Sequence, residues 1–321
     1  MELNNCKKAK GCPLRHIASP RQSESEMKQV FQLLLPYVTT ILFSSLIITG
    51  SASAEMDSLD RADLWAGIAE EIDEAPGHED SKDTDRKWAF SLGLTGGISP
   101  DYEGSNDYGF GIAPNIAFSW RDIIFYKGKS LGANLIRKKN LKAGPILSWT
   151  SGRDEDDNDR LEGLGDVESS IEAGGFISYR NKPLRFRLEA RQDVNSGHEG
   201  ALVELSGGTT LPIKNPLVFV SLGTTWASDD YMENFFGVSS QQSVAAELHK
   251  YKADAGIKDI NLGLKARYSI TNRWRLGGKI EYKRLVGDAA DSPIVDDKNQ
   301  FLVGISISYH MGSKILPEIL Q

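Results

Sequence analysis

Tyr108-Gly109-Phe110-Gly111-Ile112-Ala113-Pro114-Asn115-Ile116-Ala117-Phe118-Ser119-Trp120 decides how the rest of the chain is read. A large apolar side chain or proline occupies every second position, aromatic residues stand at both ends, and only small or polar residues lie between. Successive side chains of a β-strand point to opposite faces, so this period of two describes a strand with one bulky face and one small face. Aromatic ends and small or polar intervening residues suit a strand whose bulky side chains face lipid. Gly109 and Gly111 then read as small lumen residues, because a phosphate-cradling Gly-x-Gly would have to open a helix and none follows.

The same alternation recurs outward from this stretch. Trp88, Phe90, Leu92 and Leu94 precede it; Leu184, Phe186, Leu188 and Ala190 alternate with Arg185, Arg187, Glu189 and Arg191. Ile260 to Ile270 and Phe301 to Tyr309 close the series, and no comparable helical period intervenes outside the loops. A soluble sandwich also shows apolar and charged residues in alternation, so loop lengths decide. Short links at Arg121-Asp122, Asn181 to Pro183, Pro212 to Pro216 and Thr271-Asn272 alternate with long ones at 99–107, 151–166, 194–200, 229–257 and 287–298. Tight periplasmic turns opposite larger external loops are the asymmetry of an outer-membrane barrel. Splitting 122–137 into Asp122 to Lys127 and Ser130 to Arg137 around Gly128-Lys129 keeps the alternation and brings the count to twelve. The expected fold is therefore an all-β, transmembrane antiparallel β-barrel of 12 strands over residues 88–311, with 312–321 as a C-terminal tail. Its lumen, crowded with both charge signs from Arg185 to Arg191 and from Lys265 to Lys283, would be closed by cross-lumen ion pairs rather than hold a wide channel.

Composition agrees. The 321 residues are 40% hydrophobic with a mean hydropathy of -0.34, which excludes a bundle of apolar membrane helices and leaves a barrel allowed. A formal charge of -7 and a pI of 5.4 argue against nucleic acid as a partner. The one long apolar run, Phe31 to Ile48, follows Lys28 and precedes Ala52-Ser53-Ala54, so residues 1–54 read as a leader with a cleaved signal peptide whose true start is possible at Met27. Both cysteines, Cys6 and Cys12, lie in that leader. Residues 55–87 hold twelve acidic and four basic side chains and read as an acidic periplasmic arm or linker, with a short helix allowed over Leu59 to Ile72.

Five segments in order resemble the MipA/OmpV family, the MltA-interacting outer-membrane proteins of Gram-negative bacteria: SPDYEGSNDY (99–108), SLGANLI (130–136), GRDEDDNDRLEGLGDV (152–167), DDYMENFFGVSS (229–240) and GDAADSPIVDDKNQF (287–301). The family-motif positions are Pro100, Asp101, Tyr102, Glu103, Gly104, Gly152, Arg153, Asp154, Gly163, Gly165, Asp166, Phe236, Gly237, Val238, Gly287, Asp288, Ala289, Ser292 and Pro293. The resemblance implies an outer-membrane barrel and, for the family's namesake, a non-enzymatic scaffold that joins a lytic transglycosylase to a penicillin-binding protein in murein synthesis. Other members look like adhesins or antigens.

Candidate chemistry is sparse, and no catalytic residue, cofactor or metal site is assigned. His198, in Asn195 to Gly200 after Asp193, is an external histidine beside carboxylates, as in a hydrolase, or simply a solvated loop histidine. Asp154 to Asp159 begins like a calcium loop but has Asp159 where a glycine and Gly165 where a glutamate belong, so it reads as a solvated acidic loop. That stretch, with Asp288, Asp291, Asp296 and Asp297, is also placed to share divalent cations with lipopolysaccharide phosphates. Loop 229–257, with Tyr231, Phe235, Phe236 and an expected helix from Ser240 to Tyr251, would plug the lumen, cover its mouth or contact a partner. A scaffold is the first functional reading; a solute pore and a surface adhesin acting through its external loops are the alternatives.

Overall fold

Thirteen strand segments carry the alternation, in a computed structural model that describes residues 88–213 and 215–312. They are β1 (Trp88–Pro100), β2 (Tyr108–Trp120), β3 (Ile124–Lys127), β4 (Ser130–Ala133), β5 (Ile136–Lys138), β6 (Leu141–Thr150) and β7 (Ser170–Asn181). The series continues with β8 (Leu184–Asp193), β9 (Ala201–Thr210), β10 (Leu217–Ala227), β11 (Gly256–Ser269), β12 (Trp274–Leu285) and β13 (Asn299–Gly312). The expected leader, acidic arm, Leu59 to Ile72 helix and most of the tail lie outside the described residues.

The strands pair antiparallel with their sequence neighbours, and β1 meets β13 from Ala89↔Gly312 to Ile98↔Val303. β4 and β5 are two pieces of one barrel strand, since both pair with β6. Between Gly132↔Ile146 and Ile136↔Ala143 the β4–β5 side advances four residues while β6 advances three, which is a β-bulge. The strand expected as unbroken from Ser130 to Arg137 is thus interrupted at Asn134-Leu135, where the Asn134 amide donates to the carbonyl of Asp122 at 3.0 Å. Counted together, the described strands form a closed barrel of 12, and the hairpin at Gly128-Lys129 lies where the alternation of loops required it.

The wall is inside out relative to a soluble protein. Along β8, Arg185, Glu189 and Asp193 are buried while Leu184, Phe186 and Leu188 are exposed. Phe110 is 63% and Ile305 72% exposed, as lipid-facing side chains must be. Closure satisfies the backbone groups that hydrocarbon cannot, and among the described residues no helix is long and apolar enough to cross a membrane. Pro114 sits where β2 pairs with β1 alone among the described strands, so one ladder rather than two runs past a residue with no N–H to donate.

Short turns at 121–123, 139–140, 182–183, 211–216 and 270–273 share one end with the start of β1 and the end of β13. Long links at 101–107, 151–169, 194–200, 228–255 and 286–298 share the other, which the asymmetry of such barrels makes the external end.

Candidate functional site

The long links fold onto one another as a cap. Loop 228–255 contributes α1 (Asp229–Phe236) and α2 (Ser240–Ala245); loop 286–298 contributes α3 (Gly287–Asp291). Helix α1 begins with Asp229 and Asp230, whose charges suit the positive end of the helix dipole, and turns Tyr231, Met232 and Phe236 inward. Helix α2 opens on a capping box between Ser239 and Gln242. It stops at Ala245 and does not continue to Tyr251 as expected. Glu247 has φ 55, outside any right-handed helix, and Tyr251 is drawn back to Val238 by backbone bonds of 2.8 and 3.0 Å.

Two apolar clusters hold the cap. One packs Tyr231, Met232 and Phe236 of α1 against Leu202, Leu285 and Ala289; the other joins Tyr102, Leu161, Leu164, Val238 and Ile294 from four loops. Polar bonds cross between the same loops. The Tyr102 hydroxyl donates to the carbonyl of Ile294 at 2.9 Å, Arg153 to that of Phe235 at 2.8 Å, Arg160 to that of Pro293 at 2.5 Å, and Ser292 to that of Phe236 at 2.6 Å. Burial, and then Asp296, pushes the Tyr102 phenol up, so it stays a donor at neutral pH. Burial lowers the Arg153 guanidinium to about 10, with Tyr102 and Asp166 opposing, which leaves it charged.

The motif positions gather in this cap. Pro100 ends β1, and Asp101 donates its N–H to Asp107 at 3.1 Å. The N–H of Gly104 donates to Gln300 Oε1 at 3.0 Å; its φ is +112, and a Cβ there would meet Val295 at 2.6 Å. Gly152 abuts the Val167 carbonyl, and Asp154 caps a 3-10 turn over Glu155–Asp157. The Glu155 carboxylate accepts from the N–H groups of Gly163 and Gly165 at 3.1 and 3.0 Å, while Asp166 accepts from that of Glu155 at 2.9 Å. The acidic stretch therefore spends much of its oxygen capacity on its own turns. Gly237 closes α1 through its N–H to Glu233, Val238 is fully buried, Gly287 opens α3 with φ 57, and the Asp288 carbonyl accepts from the Tyr251 hydroxyl at 2.8 Å.

Below the cap lies a quartet of charges. Lys258 Nζ is 2.5 Å from Glu103 Oε1 and 3.0 Å from Asp259 Oδ2, and Lys283 Nζ is 3.2 Å from the same Glu103 oxygen. Burial would raise the Glu103 carboxyl, but Lys258 and Lys283 outweigh it and hold Glu103 below the usual carboxylate range. Glu103 lies in the SPDYEGSNDY segment, whereas Lys258 and Asp259 fall outside the residues that alternation from Ile260 onward sends to the lumen. Thr225 pairs with Asp259 and Trp226 with Ile257, so Lys258 is the extra residue of a β-bulge and both Lys258 and Asp259 turn inward. Adjacent opposite charges immediately before the alternating run from Ile260 were the available signal.

Arg191 binds Glu172 at 3.1 Å, Glu189 at 3.2 Å and Glu204, tying three strands together. Arg191 and Glu204 line both an outer cavity of about 300 Å³ and an inner one of about 230 Å³. His198 is not the solvated side chain expected. It is 1% exposed; its Nδ1 accepts the Gly200 N–H at 3.0 Å, so Nε2 carries the proton and faces Glu172 Oε1 at 2.9 Å. Ser170 Oγ contacts the His198 backbone N–H, not the ring, and bonds Asp193 at 3.3 Å. With both ring nitrogens committed, this group braces loop 194–200 on β7 and has no general-base geometry toward Ser170.

The family model of the MltA-interacting protein MipA matches residues 92–311. The outer membrane protein OmpV of Vibrio cholerae is 41% identical over 241 residues, covering 70% of this chain and 86% of that one. The MltA-interacting protein of Escherichia coli K12 is 24% identical, covering 68% and 89%. An outer membrane channel from Pseudomonas putida F1 aligns over 71% of this chain and 96% of that structure at 12% identity and a TM-score of 0.38. A closed barrel with lipid-facing strands, matched over this length, belongs to the MltA-interacting protein MipA family and is an outer-membrane protein.

Proposed function

We propose that the protein is a non-enzymatic scaffold of the outer membrane that holds a lytic transglycosylase beside a penicillin-binding protein at the murein layer. The observation that carries this reading is family membership together with a relative named for interaction with MltA. The external loops are spent on packing against each other, which leaves the short turns, beside the first and last strands, as the surface that faces the periplasm. Affinity capture from detergent extracts tests it. Both a murein hydrolase and a murein synthase should be enriched over an unrelated barrel, and substitutions in the 182–183 and 270–273 turns should lower that enrichment; recovery equal to the control rejects the scaffold.

A solute pore is the second reading, favoured by the two lumen cavities. Stepwise conductance in planar bilayers would support it. Lipopolysaccharide as a neighbour, bridged through divalent cations at Asp288 and Asp291, belongs to either reading and is tested by a rise in melting temperature on adding calcium with lipopolysaccharide.

A further inference from the structure

The two ends of the barrel differ in charge. The five long links hold twenty-one acidic and five basic side chains, whereas the five short turns hold five basic and one acidic. At the basic end the charge is concentrated where the turn after β2 meets the turn after β5. Residues 121–123 and 136–142 carry Arg121, Arg137, Lys138, Lys139 and Lys142 against one carboxylate, Asp122. Lys142 takes that carboxylate at 2.8 Å. Arg121 lies over the Trp120 ring at 5.1 Å and Arg137 donates to the Arg121 carbonyl at 3.1 Å, neutral partners that leave both charges uncancelled. Arg121, Arg137, Lys138 and Lys139 are all exposed, so four positive charges share one outward-facing patch.

We infer that the acidic residues 55–87 of this same chain dock on the patch and withhold it from other polyanions. Charge complementarity is the first ground: the segment sets twelve acidic side chains against four basic ones. Attachment is the second. Trp88 pairs with Trp120, so residue 87 leaves the barrel beside Arg121, and the Arg137 bond to the Arg121 carbonyl draws the second turn alongside. Reach is the third. Four strand spacings separate β1 from β6, about 19 Å at ~4.8 Å each, and a coil of about 15 residues has a root-mean-square span of about 20 Å. Glu70, Glu71, Asp73 and Glu74 lie at that remove from Trp88. One exposed ion pair contributes little, so the contact rests on the number of charges and on the tether, which holds the carboxylates at about millimolar effective concentration. The contact lies within one chain and does not depend on the scaffold reading.

Carbodiimide coupling of the full chain in an uncharged detergent, read by peptide mass spectrometry, tests it. Cross-links from Glu70, Glu71, Asp73 and Glu74 to Lys138 and Lys139 are expected at low salt. Their yield should fall roughly fivefold or more at 1 M salt, where the screening length shrinks to about 3 Å. R121Q/R137Q, which keeps both lysines, should lower the yield at low salt; heat-modifiable gel migration checks that this variant folds. A labelled peptide of residues 55–87 supplies the second measurement. It should bind roughly tenfold or more tighter to a chain whose own carboxylates in 55–87 are changed to Asn and Gln, because the tethered competitor is gone. K138Q/K139Q in that chain should remove the gain. Cross-links indifferent to salt and to R121Q/R137Q, or equal peptide binding by the two chains, overturn the proposal. Cross-links should persist in bilayers containing phosphatidylglycerol; their loss there assigns the patch to lipid headgroups and overturns it as well.

Discussion

The barrel wall and the external cap obey one rule in opposite directions. In the wall, Phe110 and Ile305 are exposed while Arg185 and Lys265 are buried; in the cap, Phe236 and Leu161 are wholly buried while Lys252 and Asp254 face outward. The hydrophobic effect removes apolar surface from water in both places, and only the medium beyond the surface differs. The lesson is that burial in such a protein has to be read against position: on the outer face of the wall large apolar side chains stand exposed, and in the cap they are buried.

The comparison breaks most readily at the boundary, where Lys258 belongs to the wall and Glu103 to the cap. Lys258→Met should cost about 3–5 kcal/mol by leaving Glu103 and Asp259 buried without their nearest cation, read as a lower urea midpoint for loss of heat-modifiable gel migration. Phe236→Ala should cost about 3–5 kcal/mol for an emptied site in the cap, whereas Ile305→Ala, lipid-facing, should fall well short of that. An equal loss from both would undo the distinction between the two regions. Ile112→Lys, placing a charge on the lipid face, should cost about 2–4 kcal/mol if the site lies at mid-membrane, while His198→Gln is expected to loosen loop 194–200 as seen by hydrogen exchange.

The smallest expected effect is on pH. The folded Glu103 carboxyl ionises at lower pH than its unfolded counterpart, near about 4.3. Its contribution is therefore complete above that value and is lost as pH falls through the folded one. Hydrogen exchange in loops 101–107 and 228–255 should quicken below about pH 4, and Glu103→Gln should flatten the profile.

How much was legible follows the range of the interactions. Period-two alternation is local, so the strands, the hairpin at Gly128-Lys129 and the strand count were available from Tyr108 to Trp120 outward. The cap was not, because its bonds join residues as far apart as Tyr102 and Ile294, and nothing in either segment names the other. The recurring motif glycines hinted at it: Gly104, Gly163, Gly165 and Gly287 all have positive φ, marking tight loops rather than strands. The bulges at Lys258 and Asn134 escaped because one inserted residue reverses the facing of everything beyond it, and alternation read on either side alone looks regular. His198 was legible as a histidine among carboxylates; its burial depended on Tyr231, ring centroids 5.0 Å away and many residues downstream.

The pairing of β1 with β13 carries a consequence for biogenesis. The seam joins Ala89 to Gly312, so the cylinder cannot be completed until every strand from β1 to β13 has been synthesised and exported. Until then every nascent strand presents a sticky edge, and the chain must be kept from aggregating by helpers on its way to the bilayer.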